Sequence, residues 1–282
     1  MIDAGTAICC LIGDPVEHSL SPLIHNAGYE ALGINFLYVP FRVKHIKLAI
    51  DGIKGLGIRG ASVTTPHKAS VMEYIDEIDE VAKKIGAVNT IVNNNGVLTG
   101  FNTDYHGALK ALEEVTTLGG KRAVLIGSGG AASAIAMGLK RNGVELVVLN
   151  RTIEKARELA KLVNAEGFGD LEQLPLVSSA DILINATSVG MWPRVNDTII
   201  SKDLLPDKLT VFDVVYNPKE TRLLTEARDK GCTVVYGYKM LLYQAAMQFE
   251  LFTGCQAPLP AMEHTLTEAL EGERHASYFD RR

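Results

Sequence analysis

Basic residues are in short supply in this chain of 282: 28 Lys and Arg stand against 33 Asp and Glu, a net charge of −5. That shortage excludes the basic stripe on which non-specific nucleic-acid binding depends. Long apolar runs are missing too, and none approaches the roughly 20 residues that span a bilayer. The opening Met1–Ile12 has no basic segment ahead of its apolar stretch, so it reads as a first strand and not as a signal peptide. Cysteine is scarce: Cys9, Cys10, Cys232 and Cys255 form no C-x-x-C pair, and no histidine cluster completes a zinc set. A metal site and a disulfide framework are set aside, and free thiols fit a cytoplasmic protein. With 47% hydrophobic and 22% charged residues, what is left is a globular protein long enough for two domains.

What is present first is a glycine-rich turn, Gly127-Ser128-Gly129-Gly130-Ala131-Ala132. It leaves the apolar run Ala123–Ile126 and opens a helix to about Lys140. A second strand, Val144–Leu149, ends in Asn150-Arg151-Thr152. A strand, turn, helix and strand in that order bind a dinucleotide: the glycines admit the pyrophosphate, and the helix N-terminus holds it with unpaired N–H groups. An NAD site places an acid after the second strand to bond the ribose. Arg151 in that place welcomes the 2′-phosphate of NADP(H) instead.

The rest of the chain alternates strand and helix. Strands are expected at Ile8–Ile12, Asn35–Val39 and Arg59–Val63, with a hairpin of Ile91-Val92 and Val97-Leu98 about Asn95-Gly96. Ser21 is expected to cap a helix with Pro22 at its first position, and Thr65-Pro66 to cap another in the same way. Further strands fall at Asp181–Ile184, Leu209–Asp213 and Cys232–Val235, with helices near Ile153–Val163 and Arg222–Lys230. Met240–Phe252 is a last long helix. The fold class is therefore α/β in two domains, an N-terminal α/β substrate domain and a doubly wound Rossmann-type domain. The substrate domain takes residues 1–103 and 238–264, the NADP domain 104–237, and a polar tail 265–282.

Chemistry in open α/β sheets follows the strand ends. Ser19 and Ser21 offer two hydroxyls to an anion. Thr64 ends a strand, and Lys68 is expected in the first turn of the next helix, where the helix field and desolvation would tune it as an acid/base. Asn89 offers donor and acceptor, and Asp104 stands just before a helix, as its N-cap or as a partner for Lys68. Thr187 and Ser188 follow a strand, where they could flank the nicotinamide. Gln244 is a polar residue in an apolar helix.

Nine motifs in order resemble the shikimate dehydrogenase family. They are Ser19-x-Ser21-Pro-x-x-His25-Asn26, Val63-Thr64-x-Pro66-His67-Lys68, Gly86-Ala-x-Asn89-Thr90, Gly100-x-Asn102-Thr103-Asp104, the glycine turn, Asn150-Arg151-Thr152, Asn185-Ala-Thr-Ser-x-Gly190-Met191, Asp213-x-Val215-Tyr216-x-Pro218 and Gly237-x-x-Met240-Leu241-x-x-Gln244. The resemblance spans about Ile12 to Gly254 and implies NADPH-linked, reversible reduction of 3-dehydroshikimate to shikimate. It implies Lys68 and Asp104 as the catalytic pair, with Ser19 and Ser21 on the substrate carboxylate and Tyr216 nearby. Thr64, Asn89 and Gln244 would bond ring hydroxyls. The cofactor would be held by Gly127, Ser128, Gly129, Gly130, Ala131, Asn150, Arg151, Thr152, Thr187, Ser188, Val214 and Gly237, with Arg151 and Thr152 at the 2′-phosphate. Ser62 departs from the family pattern, where many members carry Asn. Expected partners are a small-molecule substrate and a second copy of the chain, with no nucleic acid, membrane or metal. A quinate/shikimate dehydrogenase using NAD and a non-catalytic ligand sensor on the same fold are the rival readings. Asn150-Arg151-Thr152 opposes the first, and the retained Lys68 and Asp104 oppose the second.

Overall fold

Short apolar runs that end in glycine or a polar turn become strands here, and the amphipathic runs between them become helices. The computed structural model describes residues 2–272. By contact density the chain forms two compact units, one running up to Thr103 and resuming at Gln244, the other Asp104–Tyr243.

The first unit is built on a six-stranded sheet. Its strands are β1 (Ala7–Gly13), β2 (Phe36–Arg42), β3 (Gly60–Val63), β4 (Glu77–Ile78), β5 (Thr90–Asn94) and β6 (Val97–Phe101). Their order is β2-β1-β3-β5-β6-β4. β1 pairs in parallel with β2 and β3, whereas β5 runs antiparallel to β3 and β6. The β5–β6 hairpin turns on Asn95 (φ 53°) and Gly96 (φ 94°), both left-handed, the geometry that Asn-Gly favours. Helices α1 (Ser21–Leu32), α2 (Ile46–Gly55) and α3 (Glu80–Ile85) connect these strands. Cys10, Ile12, Ile50, Ile53, Val63, Ile91 and Leu98 form one core.

The second unit holds α4 (Thr103–Glu113) after its first residue, then β7 (Arg122–Ile126), α5 (Gly130–Arg141), β8 (Glu145–Leu149), α6 (Ile153–Val163), β9 (Gly167–Gly169), β10 (Ile182–Asn185), β11 (Thr210–Asp213), α7 (Arg222–Asp229) and β12 (Thr233–Val235). The sheet order is β12-β11-β10-β7-β8-β9, parallel throughout. This is the doubly wound order, with its switch point between β7 and β10. The central strands are buried on both faces, so they read as unbroken apolar runs. Val124, Ile126, Leu149, Leu183, Val211 and Leu224 fill the core on one side.

Helix α8 (Gly237–Thr253) starts in the second unit and ends in the first, where Gly254 (φ 72°) stops it. It is not the last helix. Helix α9 (Leu259–Glu271) follows with Pro260 in its first turn, so the expected tail from 265 is helical as far as Glu271. Its Met262 and Leu266 are buried and hold the helix in place. The remainder of the expected tail, 273–282, lies outside the described residues.

Candidate active site

Three local expectations about the site residues are corrected. Ser21 is not an N-cap: Leu20 occupies that position, and Ser21 is the first helical residue, 6% exposed, with Pro22 next. Ser19 takes the capping part, since its Oγ accepts the Ser21 N–H at 3.2 Å. No α-helix follows Thr65-Pro66; the chain makes a run of turns into a single 3-10 stretch, Ser70–Glu73. Lys68 therefore stands in a turn and not in the first turn of a helix. Asp104 is the second residue of α4, inside the helix and 7% exposed, rather than its N-cap.

The backbone gathers several expected residues at one end of this sheet. Thr64 donates its N–H to Ile12 O, and Val63 donates to Asn89 O at 2.7 Å. Val88 donates to Lys68 O at 2.8 Å, so the turn bearing Lys68 is fastened to the segment bearing Asn89. Thr103 N–H donates to Asn89 Oδ1 at 2.7 Å, and Asp104 is the next residue along the chain. Thr64, Lys68 and Asn89 thus sit on adjoining backbone at the carboxyl ends of β1 and β3.

Beneath Asn89 is a buried polar network that sequence reasoning missed. Gln248, 1% exposed, donates through Nε2 to Asn89 O at 3.2 Å and to Thr90 Oγ1 at 3.0 Å. Its Oε1 accepts Ser62 Oγ at 2.8 Å and lies 3.4 Å from His25 Nε2. Thr90 in turn donates to Asn89 Oδ1 at 2.7 Å. Ser62, the departure from the family pattern, is 4% exposed and spent on this contact. His25 stacks on Tyr38 with centroids 4.3 Å apart, and burial pushes its pKa down to about 3, so the ring is neutral at working pH. A signal for Gln248 was present: it lies one helical turn after Gln244, itself 7% exposed, in an apolar helix.

In the second unit the glycine turn is built by close backbone approach. Gly127 has φ 121°, and a Cβ there would lie 2.7 Å from Ala186 O. Gly129 and Gly130 are exposed, and a Cβ on Gly129 would meet nothing within 4 Å. The N-terminus of α5 has no side-chain cap and no acid in its first turn. Bare donors beside open space fit a pyrophosphate. Ser128 is half-buried, and so is Ala131. After β8, Asn150 Nδ2 donates to Thr152 O at 2.9 Å and shapes the turn, while Arg151 and Thr152 are exposed at the start of α6. Asn150-Arg151-Thr152 itself carries no carboxylate to repel a 2′-phosphate; the next one along the chain is Glu154, in the first turn of α6. Gly237 closes on the loop after β11, where a Cβ would lie 2.5 Å from both Val214 O and Val215 O. Tyr216, half-buried in that loop, has its phenol pKa raised by burial.

A carboxylate to which the sequence reading assigned no role organises these loops. Asp213 is fully buried at the end of β11. It accepts from Asn185 Nδ2 at 2.9 Å, Val215 N at 3.1 Å and Thr221 Oγ1 at 2.7 Å. Asn185 Oδ1 then accepts from Thr187 N and Oγ1, which fixes Thr187 while Ser188 stays exposed. Burial raises the Asp213 pKa from 3.8 to about 6, against three hydrogen bonds that lower it. A folded-state pKa above the unfolded one means that the fold favours the protonated form. The associated stability is complete below about pH 4 and is lost as pH rises through 6, by about 3 kcal/mol. Asp213→Asn removes that dependence. Chemical denaturation of both proteins should show the wild type losing that much against the variant between pH 4 and pH 7; parallel profiles would place the titration elsewhere.

Among the described residues, no group of three or more His, Cys, Asp or Glu is placed to hold a metal ion. No described helix is long and apolar enough to cross a membrane.

A parallel sheet in doubly wound order, a bare glycine turn at its switch point and an arginine after the second strand define an NADP-linked oxidoreductase with a separate substrate unit. Comparison with known proteins narrows the class. Residues 11–91 match the shikimate dehydrogenase substrate binding domain, 109–215 the shikimate/quinate 5-dehydrogenase family, and 237–267 the shikimate 5′-dehydrogenase C-terminal domain. The chain is 47% identical over 281 residues to the shikimate dehydrogenase (NADP+) of Moorella thermoacetica, covering 95% of each. A crystal structure of a shikimate dehydrogenase in complex with NADP+ is similar at a TM-score of 0.92 and 41% identity, over 96% of this chain and 98% of that one. The Thermus thermophilus shikimate 5-dehydrogenase, solved with NADP(H) and shikimate, is similar at a TM-score of 0.88 and 33% identity, over 94% of this chain and 100% of that one. The chain belongs to the shikimate dehydrogenase family.

Proposed function

We infer that this protein catalyses the NADPH-dependent, reversible reduction of 3-dehydroshikimate to shikimate, with Lys68 and Asp104 as the catalytic pair. The reading is carried by one observation: the Lys68 turn is hydrogen-bonded to the Asn89 segment, and Thr103, next to Asp104, is bonded to Asn89 itself. When bound, the nicotinamide supplies the hydride. Reduction builds negative charge on the ketone oxygen, and the Lys68 ammonium stabilises it and delivers a proton. Asp104 orients that ammonium, and in the reverse direction Lys68, as the neutral amine, takes the same proton back from the substrate hydroxyl. Ser19 and Ser21 hold the carboxylate with Tyr216, and Thr64, Asn89 and Gln244 hold ring hydroxyls, which aligns the reacting carbon. Gly127, Ser128, Gly129, Gly130 and Ala131 receive the pyrophosphate, and Asn150, Arg151 and Thr152 the 2′-phosphate. Thr187, Ser188, Val214 and Gly237 border the nicotinamide; the Asp213–Asn185 network supports that role by ordering their loops.

The division of labour is a substrate domain of 1–103 with 238–264 and an NADP domain of 104–237. The location proposed is the cytoplasm, supported by four unpaired cysteines, one of them exposed. A homodimer is the proposed assembly, supported by the exposed apolar residues Phe41 of β2 and Leu48 of α2. Initial rates with shikimate and quinate, each with NADP and NAD, test the function. Shikimate with NADP should be fastest; quinate with NAD as the best pair would overturn the reading.

A further inference from the structure

We propose that Gln248 is a positioning residue for substrate recognition, acting with Ser62 through Asn89. This rests on Asn89 being a substrate contact, as inferred above. The argument is one of hydrogen-bond polarity. The Thr103 N–H can only donate, so the Asn89 atom that it meets is Oδ1. The Asn89 main-chain carbonyl can only accept, so the Gln248 atom that it meets is Nε2. The other end of the Gln248 amide is then Oε1, and both Ser62 and His25 must donate to it. The neutral His25 ring therefore carries its proton on Nε2. The second Gln248 N–H goes to Thr90 Oγ1, which sends the only Thr90 hydroxyl proton to Asn89 Oδ1.

Two main-chain groups thus set the polarity of the two amides, while the contact between the Thr90 and Thr103 hydroxyls can run either way. The end point of the network is the rotational state of the Asn89 amide. With Oδ1 held by Thr90 and Thr103, and Nδ2 donating to Thr103 Oγ1 at 3.0 Å, the amide cannot flip without breaking several bonds at once. Gln248 also tethers Asn89 by its main-chain oxygen, beside the Val63 N–H that precedes Thr64. A leucine at 248 would keep the apolar packing of α8 and leave Asn89 O with one donor fewer, Ser62 without its acceptor and Thr90 free to turn its hydroxyl. The Thr103 N–H would still select Oδ1, but Asn89 would lose the main-chain tether and the held hydroxyl that fix its position, and recognition of the ring hydroxyl would weaken while cofactor binding stayed intact.

The test is a double-mutant cycle on the full-length protein, with Gln248→Leu, Asn89→Ala and the pair together. Gln248→Leu should raise the KM for shikimate about tenfold, the scale of one well-made hydrogen bond, with the KM for NADP changed by less than about twofold. In the Asn89→Ala background the same substitution should change the shikimate KM by less than about twofold. Equal effects in both backgrounds, or no effect on KM in the first, overturn the proposal, and so does a loss confined to kcat or to thermal stability. Should the leucine variant fail to fold, Ser62→Ala and Gln248→Glu carry the same cycle; the glutamate preserves size but presents oxygen to the Asn89 carbonyl, so additivity there is equally fatal. A wild-type protein that does not oxidise shikimate with NADP refutes the functional reading itself. An active wild type with an additive cycle refutes only the role of Gln248.

Discussion

Lys68→Ala is expected to lower kcat by about two to four decades, the range for losing a positioned proton donor, while the affinity for NADPH stays near that of the wild type. Hydride delivery to a ketone leaves an alkoxide-like oxygen, and without a cation and proton at that oxygen the barrier rises. Lys68 occupies a turn after β3, in a stretch with no α-helix behind it. Its role as a proton donor therefore does not rest on the start of a helix in its own segment. That sharpens the comparison with Asp104→Asn, which keeps the shape of the acid and removes its charge. If the acid orients the ammonium, Asp104→Asn should also lower kcat, by less than Lys68→Ala does, with NADPH affinity again near that of the wild type. Stopped-flow absorbance of NADPH oxidation measures the first quantity, and fluorescence titration of NADPH the second. An unchanged turnover number in purified, folded Lys68→Ala would remove the lysine from the mechanism.

Arg151→Asp is expected to reverse the choice of cofactor. Arg151 is exposed at the start of α6, and Thr152 holds the N-cap position there without a side-chain cap bond. A 2′-phosphate at this corner would gain charge-assisted bonds from the guanidinium, each worth about 1.5–3 kcal/mol. Aspartate removes those bonds, repels the phosphate and offers the ribose hydroxyl of NAD an acceptor. The ratio of kcat/KM for NADP over NAD should fall roughly 100-fold or more, the equivalent of about 3 kcal/mol. Most of the loss should appear in the KM for NADP, since the ribose lies far from the reacting carbon. A ratio that stays at the wild-type value in Arg151→Asp would mean that the phosphate is held elsewhere.

The glycine turn and its flanking strands were legible because each requirement is local. A positive φ at Gly127, an uncapped helix start at Gly130 and an arginine after β8 are written in consecutive residues. The hairpin about Asn95-Gly96 was legible for the same reason. Proline misled at Thr65-Pro66: a residue that favours the first turn of a helix also favours a tight turn, and here the turns prevailed. The short strands β4 and β9 went unseen because two or three residues carry no period. Helix α9 was hidden within a polar stretch, since only Met262 and Leu266 mark its buried face.

Determined in the amino-acid order alone were the class of fold, the dinucleotide turn, the preference for a phosphorylated cofactor and the family. Each follows from steric or electrostatic demands that a residue makes on its immediate neighbours. Decided only by the folded chain were the surroundings of Asn89 and of Asp213. Ser62 and Gln248 are 186 positions apart, and Asn185 and Asp213 are 28 apart. A buried polar group must find a partner once water is gone, and which partner that is depends on what the packed helices and strands bring within 3 Å.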